Sequence, residues 1–126
     1  MSNENAAALR VLVVEDEMLV ALLLQSVLEE FGHRIVGPVA RLDAAVEMAQ
    51  REAIDLAILD INLNGTEVYP VAAALKRRNI PFLFVTGYGR TGLREPYIGH
   101  PALQKPYRAD DLRHAIAEVV DAPGGE

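Results

Sequence analysis

Cysteine and tryptophan are both absent from the 126-residue chain. Without thiols the protein can form neither a disulfide nor a thiolate metal site, and a reducing cytoplasm is the expected compartment. Long apolar runs are also lacking. No stretch is long enough, or free enough of charge, to span a bilayer, and the opening MSNENAAALR lacks the basic-then-apolar order of a secretory signal. Basic charge is scarce: 12 Lys and Arg stand against 18 Asp and Glu, a net charge of -6. Those cations are scattered, so a nucleic-acid backbone is not an expected partner. Internal repeats are missing, and the length leaves no room for a second domain; one domain of this size buries roughly two-thirds of its unfolded surface. What is present is the balance of a soluble globular protein, 51% hydrophobic and 24% charged. Residues 1–9 and 122–126 read as flexible termini.

Apolar periodicity sets the architecture. Val11 to Val14 form a continuous β-rich run, the mark of a strand covered on both faces. Val20, Leu23, Leu24, Val27 and Phe31 then fall on one helical stripe, with Gly32 placed to close the helix in a left-handed conformation. A short second strand, His33 to Val36, runs into Gly37-Pro38. Leu42, Ala45, Val46 and Ala49 repeat the helical stripe, and Ile54 to Leu59 give a third buried strand. Val68, Val71, Ala72 and Leu75 mark another helix, with Pro70 tolerable in its first turn. Pro81 to Val85 is the fourth strand, Ala102 to Gln104 a brief fifth. Leu112, Ala115, Ile116 and Val119 make the last helix, whose first turn holds Asp110 and Asp111, favoured there by the helix dipole. Between Thr86 and Gln104 the glycines and prolines leave little room for a stable helix, so the helix joining strands four and five is expected to be short, irregular or mobile. Strands alternating with helices imply an α/β fold: a doubly wound, flavodoxin-like parallel sheet of five strands in the order 2-1-3-4-5, with helices on both faces. Ligands of such sheets sit beyond the carboxyl ends of the strands, where the winding reverses between strands 1 and 3.

That edge is where the polar residues collect. The first strand ends in Glu15-Asp16, with Glu17 next; the third ends in Asp60, the fourth in Thr86, and the fifth runs into Lys105-Pro106. A carboxylate ending the apolar run IDLAILD must be hydrated, paired or bound, because leaving water without a partner costs it several kcal/mol. Strands about 4.8 Å apart bring Asp16 and Asp60 to roughly 5 Å, where an effective dielectric near 20 gives about 3 kcal/mol of repulsion and raises a carboxylate pKa by about two units. A hard divalent cation reverses the sign of that interaction, and an oxygen-only ligand set is what magnesium prefers. Asp60 is then expected to face solvent beside the cation, as a nucleophile toward phosphorus, with Lys105 and Thr86 supplying positioning and charge neutralisation.

VLVVEDE, LAILDINLNG, FLFVTGYG and LQKPY, in this order over residues 10 to 121, resemble the receiver domain of two-component response regulators. The resemblance implies that Asp60 is the phospho-accepting aspartate, with Mg2+ held by Asp16 and Asp60 directly, by Glu15 through water and by the backbone carbonyl of Asn62. It makes Thr86 the switch hydroxyl and Lys105 its charge partner, with a cis Lys105-Pro106 bond. It implies phosphorelay signalling, not turnover of an outside substrate. A sensor histidine kinase or phosphotransfer protein would be the donor, a downstream protein the non-covalent partner, and the domain a monomer or weak dimer with no direct contact to nucleic acid or membrane. Two departures stand out. Glu15-Asp16 replaces the usual Asp-Asp pair, and Ala102 stands where the switch aromatic is usual. Phe84-Val85-Thr86-Gly87-Tyr88 is similar to the FAT GUY subgroup of stand-alone receivers, whose tyrosine would fall at Gly89. Phosphorylation is then expected to order or shift residues 87–101 rather than rotate a buried ring.

Other readings of the same residues are weaker. A haloacid-dehalogenase phosphatase also uses a strand-end aspartate but needs a second one two residues on as general acid, and Asn62 cannot carry that proton. A flavodoxin-type cofactor binder needs a phosphate cradle after its first strand, where Glu15-Asp16-Glu17 would repel the phosphate. A receiver that is never phosphorylated and only scaffolds has the same sequence. Glu17 reads as a first-turn charge. His33, His100 and His114 share no metal-ligand spacing and read as structural or surface residues. Leu19 and Leu22 flank the core stripe of the first helix, where ordinary helix packing is expected in preference to an exposed patch for a partner, and Tyr88 and Tyr97 are open to a partner-facing role.

Overall fold

The computed structural model describes residues 8–87 and 93–121. Expectations that fall on residues 1–7, 88–92 and 122–126, including those for Tyr88 and Gly89, lie outside that range. Five parallel strands form the main sheet in the spatial order β2-β1-β3-β6-β7, with β1 Arg10–Val14, β2 Arg34–Val39, β3 Leu56–Asp60, β6 Phe82–Thr86 and β7 Ala102–Gln104. This is the expected 2-1-3-4-5 winding. Around it lie α1 (Met18–Glu30), α2 (Leu42–Arg51), α3 (Tyr69–Arg77) and α4 (Ala109–Val120).

Alternation along the strands sorts the core into two layers. Leu12, Val14, Ala57, Leu59, Phe82 and Phe84 pack on the α2 and α3 side, against Ala45, Ala49, Val71 and Leu75. Val11, Val13, Leu56, Ile58, Leu83 and Val85 face α1 and α4 through Leu24, Leu28, Leu112 and Ile116. Burial on both faces is why β1, β3 and β6 read as unbroken apolar runs.

Four local expectations need correction. The first helix buries Ala21, Leu24 and Leu28, a stripe at i, i+3 and i+7, while Leu23 and also Leu19 and Leu22, expected to pack, are exposed. The second strand starts at Arg34 and continues through Gly37-Pro38 to Val39, with an irregular register between Leu12 and Val14 on its neighbour. Gly37 lies at φ +96, and a Cβ there would meet the Val39 nitrogen at 2.9 Å, so the strand can bend at this position only with glycine. Between β3 and α3 a two-stranded hairpin appears, β4 (Asn62–Leu63) and β5 (Thr66–Glu67), turning through Asn64 at φ 54 and Gly65 at φ 89. Asn-Gly at the two centre positions is the signature of a type I′ hairpin turn, a signal present in the sequence and overlooked. Finally Tyr97 is 8% exposed inside the core, not facing a partner.

Other details follow expectation. Pro70 sits in the first turn of α3, and Asp111 accepts a hydrogen bond from the Arg108 backbone N–H at the start of α4, at 2.9 Å. Between β6 and β7, residues 93–101 contain no helix. Among the described residues, no helix is long and apolar enough to cross a membrane.

Candidate functional site

Parallel pairing places the ends of β1, β3 and β6 side by side, with Val14 opposite Leu59 and Asp60 opposite Val85. The residues that follow these pairs meet at one edge. Glu15, Asp16 and Asp60 each offer a carboxylate oxygen, and the three oxygens lie within 4.8 Å of one another. Lys105 enters from the loop after β7. Its ammonium lies 3.3 Å from Glu15 Oε1 and 3.3 Å from Asp60 Oδ2, and its own backbone N–H donates to the Thr86 carbonyl at 2.9 Å. The Lys105-Pro106 bond is cis.

Burial departs from expectation. Asp60 is only 8% exposed and Glu15 only 4%, so neither carboxylate faces open solvent. Pairing and hydrogen bonding satisfy Asp60 instead. Lys105 neutralises it, and the Asn62 backbone N–H donates to its Oδ1 at 3.3 Å. Glu15 accepts from Lys105 and from the Glu17 backbone N–H at 3.1 Å. Asp16 is less buried and accepts from the Asn64 N–H at 2.8 Å, which ties the hairpin to the first strand's loop. Asn62 itself is exposed, and its Oδ1 accepts from the Gly65 N–H at 2.6 Å, closing the hairpin turn. Thr86 ends β6 and is buried.

Burial and charge act together on Glu15. Its pKa is pushed from 4.5 up to about 7, first by burial and further by the nearby Asp60 charge, against the lowering effects of the Glu17 N–H and Lys105. Lys105 is held above the ordinary lysine range by the two carboxylates, although burial pulls the other way. A hard cation suits this cluster: three carboxylates at the strand ends supply only oxygen ligands, and among the described residues the excess of negative charge has the Lys105 ammonium to offset it.

The receiver-domain model of response regulators matches residues 11–117. The chain belongs to the response regulator receiver domain family. Among relatives, the transcriptional regulatory protein PdtaR of Mycobacterium tuberculosis strain H37Rv is 32% identical over 115 residues, 88% of this chain and 56% of that protein. The uncharacterized transcriptional regulatory protein YbdJ of Bacillus subtilis is 29% identical over 116 residues, 89% of this chain and 51% of its own length. The receiver thus spans about half the length of these relatives. Among solved structures, SdrG from Sphingomonas melonis Fr1 superposes with a TM-score of 0.81 at 38% identity, over 91% of this chain and 98% of SdrG. The receiver domain of the sensor histidine kinase PA1611 from Pseudomonas aeruginosa, solved with magnesium in its active site cleft, shares the fold with a TM-score of 0.79 at 23% identity, over 92% of this chain and all of that one.

Of the residues singled out in the sequence, Glu15, Asp16, Asp60 and Lys105 come together, with Thr86 at the adjoining strand end and Asn62 bound to Asp60 through its backbone. The histidines at 33 and 100 are structural. His33 Nδ1 accepts from the Leu9 N–H at 3.1 Å, and His100 stacks on Phe82 with its Nε2 2.9 Å from the Phe82 carbonyl oxygen. Sequence reasoning missed Asn64, whose N–H holds Asp16; the Asn-Gly turn was the available signal.

Proposed function

We propose that this receiver accepts a phosphoryl group on Asp60 from a histidine kinase or phosphotransfer protein and signals in phosphorelay transduction through a changed protein-binding surface. The observation that carries this reading is the buried Asp60 carboxylate gathered with Glu15 and Asp16 and touched by Lys105. In the transfer, an Asp60 carboxylate oxygen forms the new bond to phosphorus while the bond to the donor atom breaks, and the electron pair leaves with the donor. Lys105, already against Asp60, balances charge on the incoming group, and Thr86 on the neighbouring strand offers a hydroxyl. Glu15, Asp16, Asp60 and the Asn62 carbonyl would hold Mg2+. Bound there, the ion would neutralise charge on the transferring oxygens. The domain turns over nothing beyond its own phosphoryl group and works in the cytoplasm.

Docking of the donor has a suitable surface. Met18, Leu19, Leu22 and Leu23 are 49% to 77% exposed on the first turns of α1, starting two residues after Asp16. A donor helix laid along this face brings its phosphohistidine to the site. Four side chains offer on the order of a few hundred Å², well below the roughly 800 Å² per partner of a stable interface, which suits a transient donor and not a permanent dimer.

The test is intact-mass measurement after incubation with magnesium and acetyl phosphate, beside Asp60→Asn. The parent should gain one base-labile phosphate and the variant none. An adduct on both proteins, or on neither, refutes the assignment.

A further inference from the structure

Ala102 leaves this receiver without the usual switch aromatic, yet residues 93–101 are fastened to the sheet in a defined way. Tyr97 is buried and stacks on Tyr69, the first residue of α3, with ring centroids 5.3 Å apart and planes 7° from parallel. His100 lies on Phe82 at 4.4 Å. Within the segment the Tyr97 N–H donates to the Arg94 carbonyl at 2.7 Å and the His100 N–H to the Tyr97 carbonyl at 2.9 Å. These contacts anchor the end of the segment far in sequence from the 88–92 stretch. At its beginning the attachment is different in kind. The Arg94 guanidinium makes two bonds to the Glu67 carboxylate, Nε to Oε2 at 3.2 Å and Nη2 to Oε1 at 2.7 Å, and the Arg94 N–H donates to the Tyr69 hydroxyl at 3.1 Å.

Glu67 is not a remote surface residue. It pairs directly across the hairpin with Asn62, and the Asn62 N–H donates to Asp60 Oδ1. Asp60, Asn62, Glu67 and Arg94 therefore form one continuous chain of contacts from the reacting carboxylate to residues 93–101. We infer that the Glu67–Arg94 pair is a latch, which holds the start of this segment while Asp60 is a free carboxylate and lets go when Asp60 is phosphorylated. The inference rests on Asp60 being the phosphoryl acceptor.

The physical sequence is short. A carboxylate accepts the Asn62 N–H as a charge-assisted hydrogen bond; once one oxygen carries the phosphoryl group, the remaining carbonyl oxygen is neutral and accepts more weakly. The hairpin has only two residues per strand, so a shift at Asn62 is carried directly to its cross-strand neighbour Glu67. The pair is 65% and 43% exposed at Arg94 and Glu67. An ion pair so exposed is weak, and a weak contact is what a small displacement can open. Tyr97 and His100 remain as the hinge, so the segment pivots instead of unfolding. A changed surface at 93–101 is then the output that a downstream protein reads.

The test is amide exchange at Arg94, Tyr97 and His100 in the full chain, with and without magnesium and beryllofluoride, for the parent, Glu67→Gln, Arg94→Gln and the control Glu47→Gln. That control removes the similarly exposed Glu47–Arg51 pair on α2. Before the phosphate mimic is added, both latch variants should exchange at position 94, relative to the intrinsic rate of the residue present, about threefold faster than the parent, the range open to one exposed pair, and the control should match the parent. The mimic should speed exchange in the parent and the control but add little in the latch variants. Equal exchange in all four proteins, or an equal response to the mimic, overturns the latch. If that happens while the parent still gains its phosphate on Asp60, the latch alone falls; if no adduct forms, the acceptor assignment falls and the regulation with it.

Discussion

Glu15 gives the sharpest test of the site's electrostatics, because its effect on stability has a definite sign. Its folded-state pKa, raised from 4.5 to about 7, means that between these values the native protein binds a proton that the unfolded chain has released. The stability that this group contributes is fully present below pH 4.5 and is lost as pH rises through about 7. A rise of this size corresponds to about 3 kcal/mol, and since Glu15 is only 4% exposed, little solvent screening reduces it. Glu15→Gln keeps the shape and removes the titration. In urea melts with EDTA present, the variant should therefore gain on the parent as pH rises, by up to about 3 kcal/mol between pH 4.5 and pH 8. Titrating groups remote from Glu15 cancel in the difference. Magnesium at pH 8 should reverse the parent's deficit, because a divalent charge removes the repulsion and favours the ionised carboxylate, and should help the variant less. Parallel pH profiles for the two proteins would refute the claim that burial holds Glu15 in its uncharged form.

Other substitutions probe other parts of the same reasoning. Lys105→Ala leaves two buried carboxylates without their cation; in urea melts at pH 8 it should lose about 1–3 kcal/mol, much of which magnesium restores. Gly37→Ala meets backbone at 2.9 Å from a left-handed conformation and should cost more than about 1 kcal/mol by the same measure, with no repair by magnesium. His100 acts in the opposite sense to Glu15: burial, chiefly, holds its pKa below 6.5, so its stability is present above pH 6.5 and declines as pH falls through the lowered value. His100→Gln should flatten that acid decline, and an unchanged slope in acid urea melts would refute the buried neutral imidazole.

Much of the fold was legible because each strand of the sheet interior is covered on both sides. Val11–Val14, Ile54–Leu59 and Pro81–Val85 differ from the helices by their unbroken apolar runs, and the structure places β1, β3 and β6 within a residue or two of them. Errors fell where periodicity carries no information. The first turns of α1 are apolar all the way round, so its sequence placed Leu24 inward correctly but also turned Leu23 inward and left out Ala21 and Leu28; that choice is made by the sheet beneath it. Val39 joins β2 past a Gly-Pro pair that ordinarily stops a strand, because Glu15, directly after β1, donates its N–H to the Val39 carbonyl at 3.0 Å. Tyr97 was beyond reach for a similar reason: its burial depends on Tyr69, 28 positions earlier, which becomes its stacking partner only once α3 and the 93–101 segment lie side by side.

At the site, strand ends were enough to say which residues meet but not how each is satisfied. Parallel pairing makes every strand end arrive at one edge, so Glu15, Asp16, Asp60, Thr86 and Lys105 follow from topology once the strand order is known. The ranking of their burdens does not follow. Strand spacing pointed to repulsion between Asp16 and Asp60; in the structure Asp60 obtains an ammonium and a backbone N–H, and Asp16 obtains the Asn64 N–H. Glu15 has Lys105 and the Glu17 N–H as well, but its longer arm folds into the protein and loses more water than these contacts return. A carboxylate's neighbours in sequence predict its charge environment; only the chain passing over it decides how much solvent it keeps. Here that decision leaves Glu15, the residue that departs from the family's Asp-Asp pattern, buried enough for desolvation to raise its pKa.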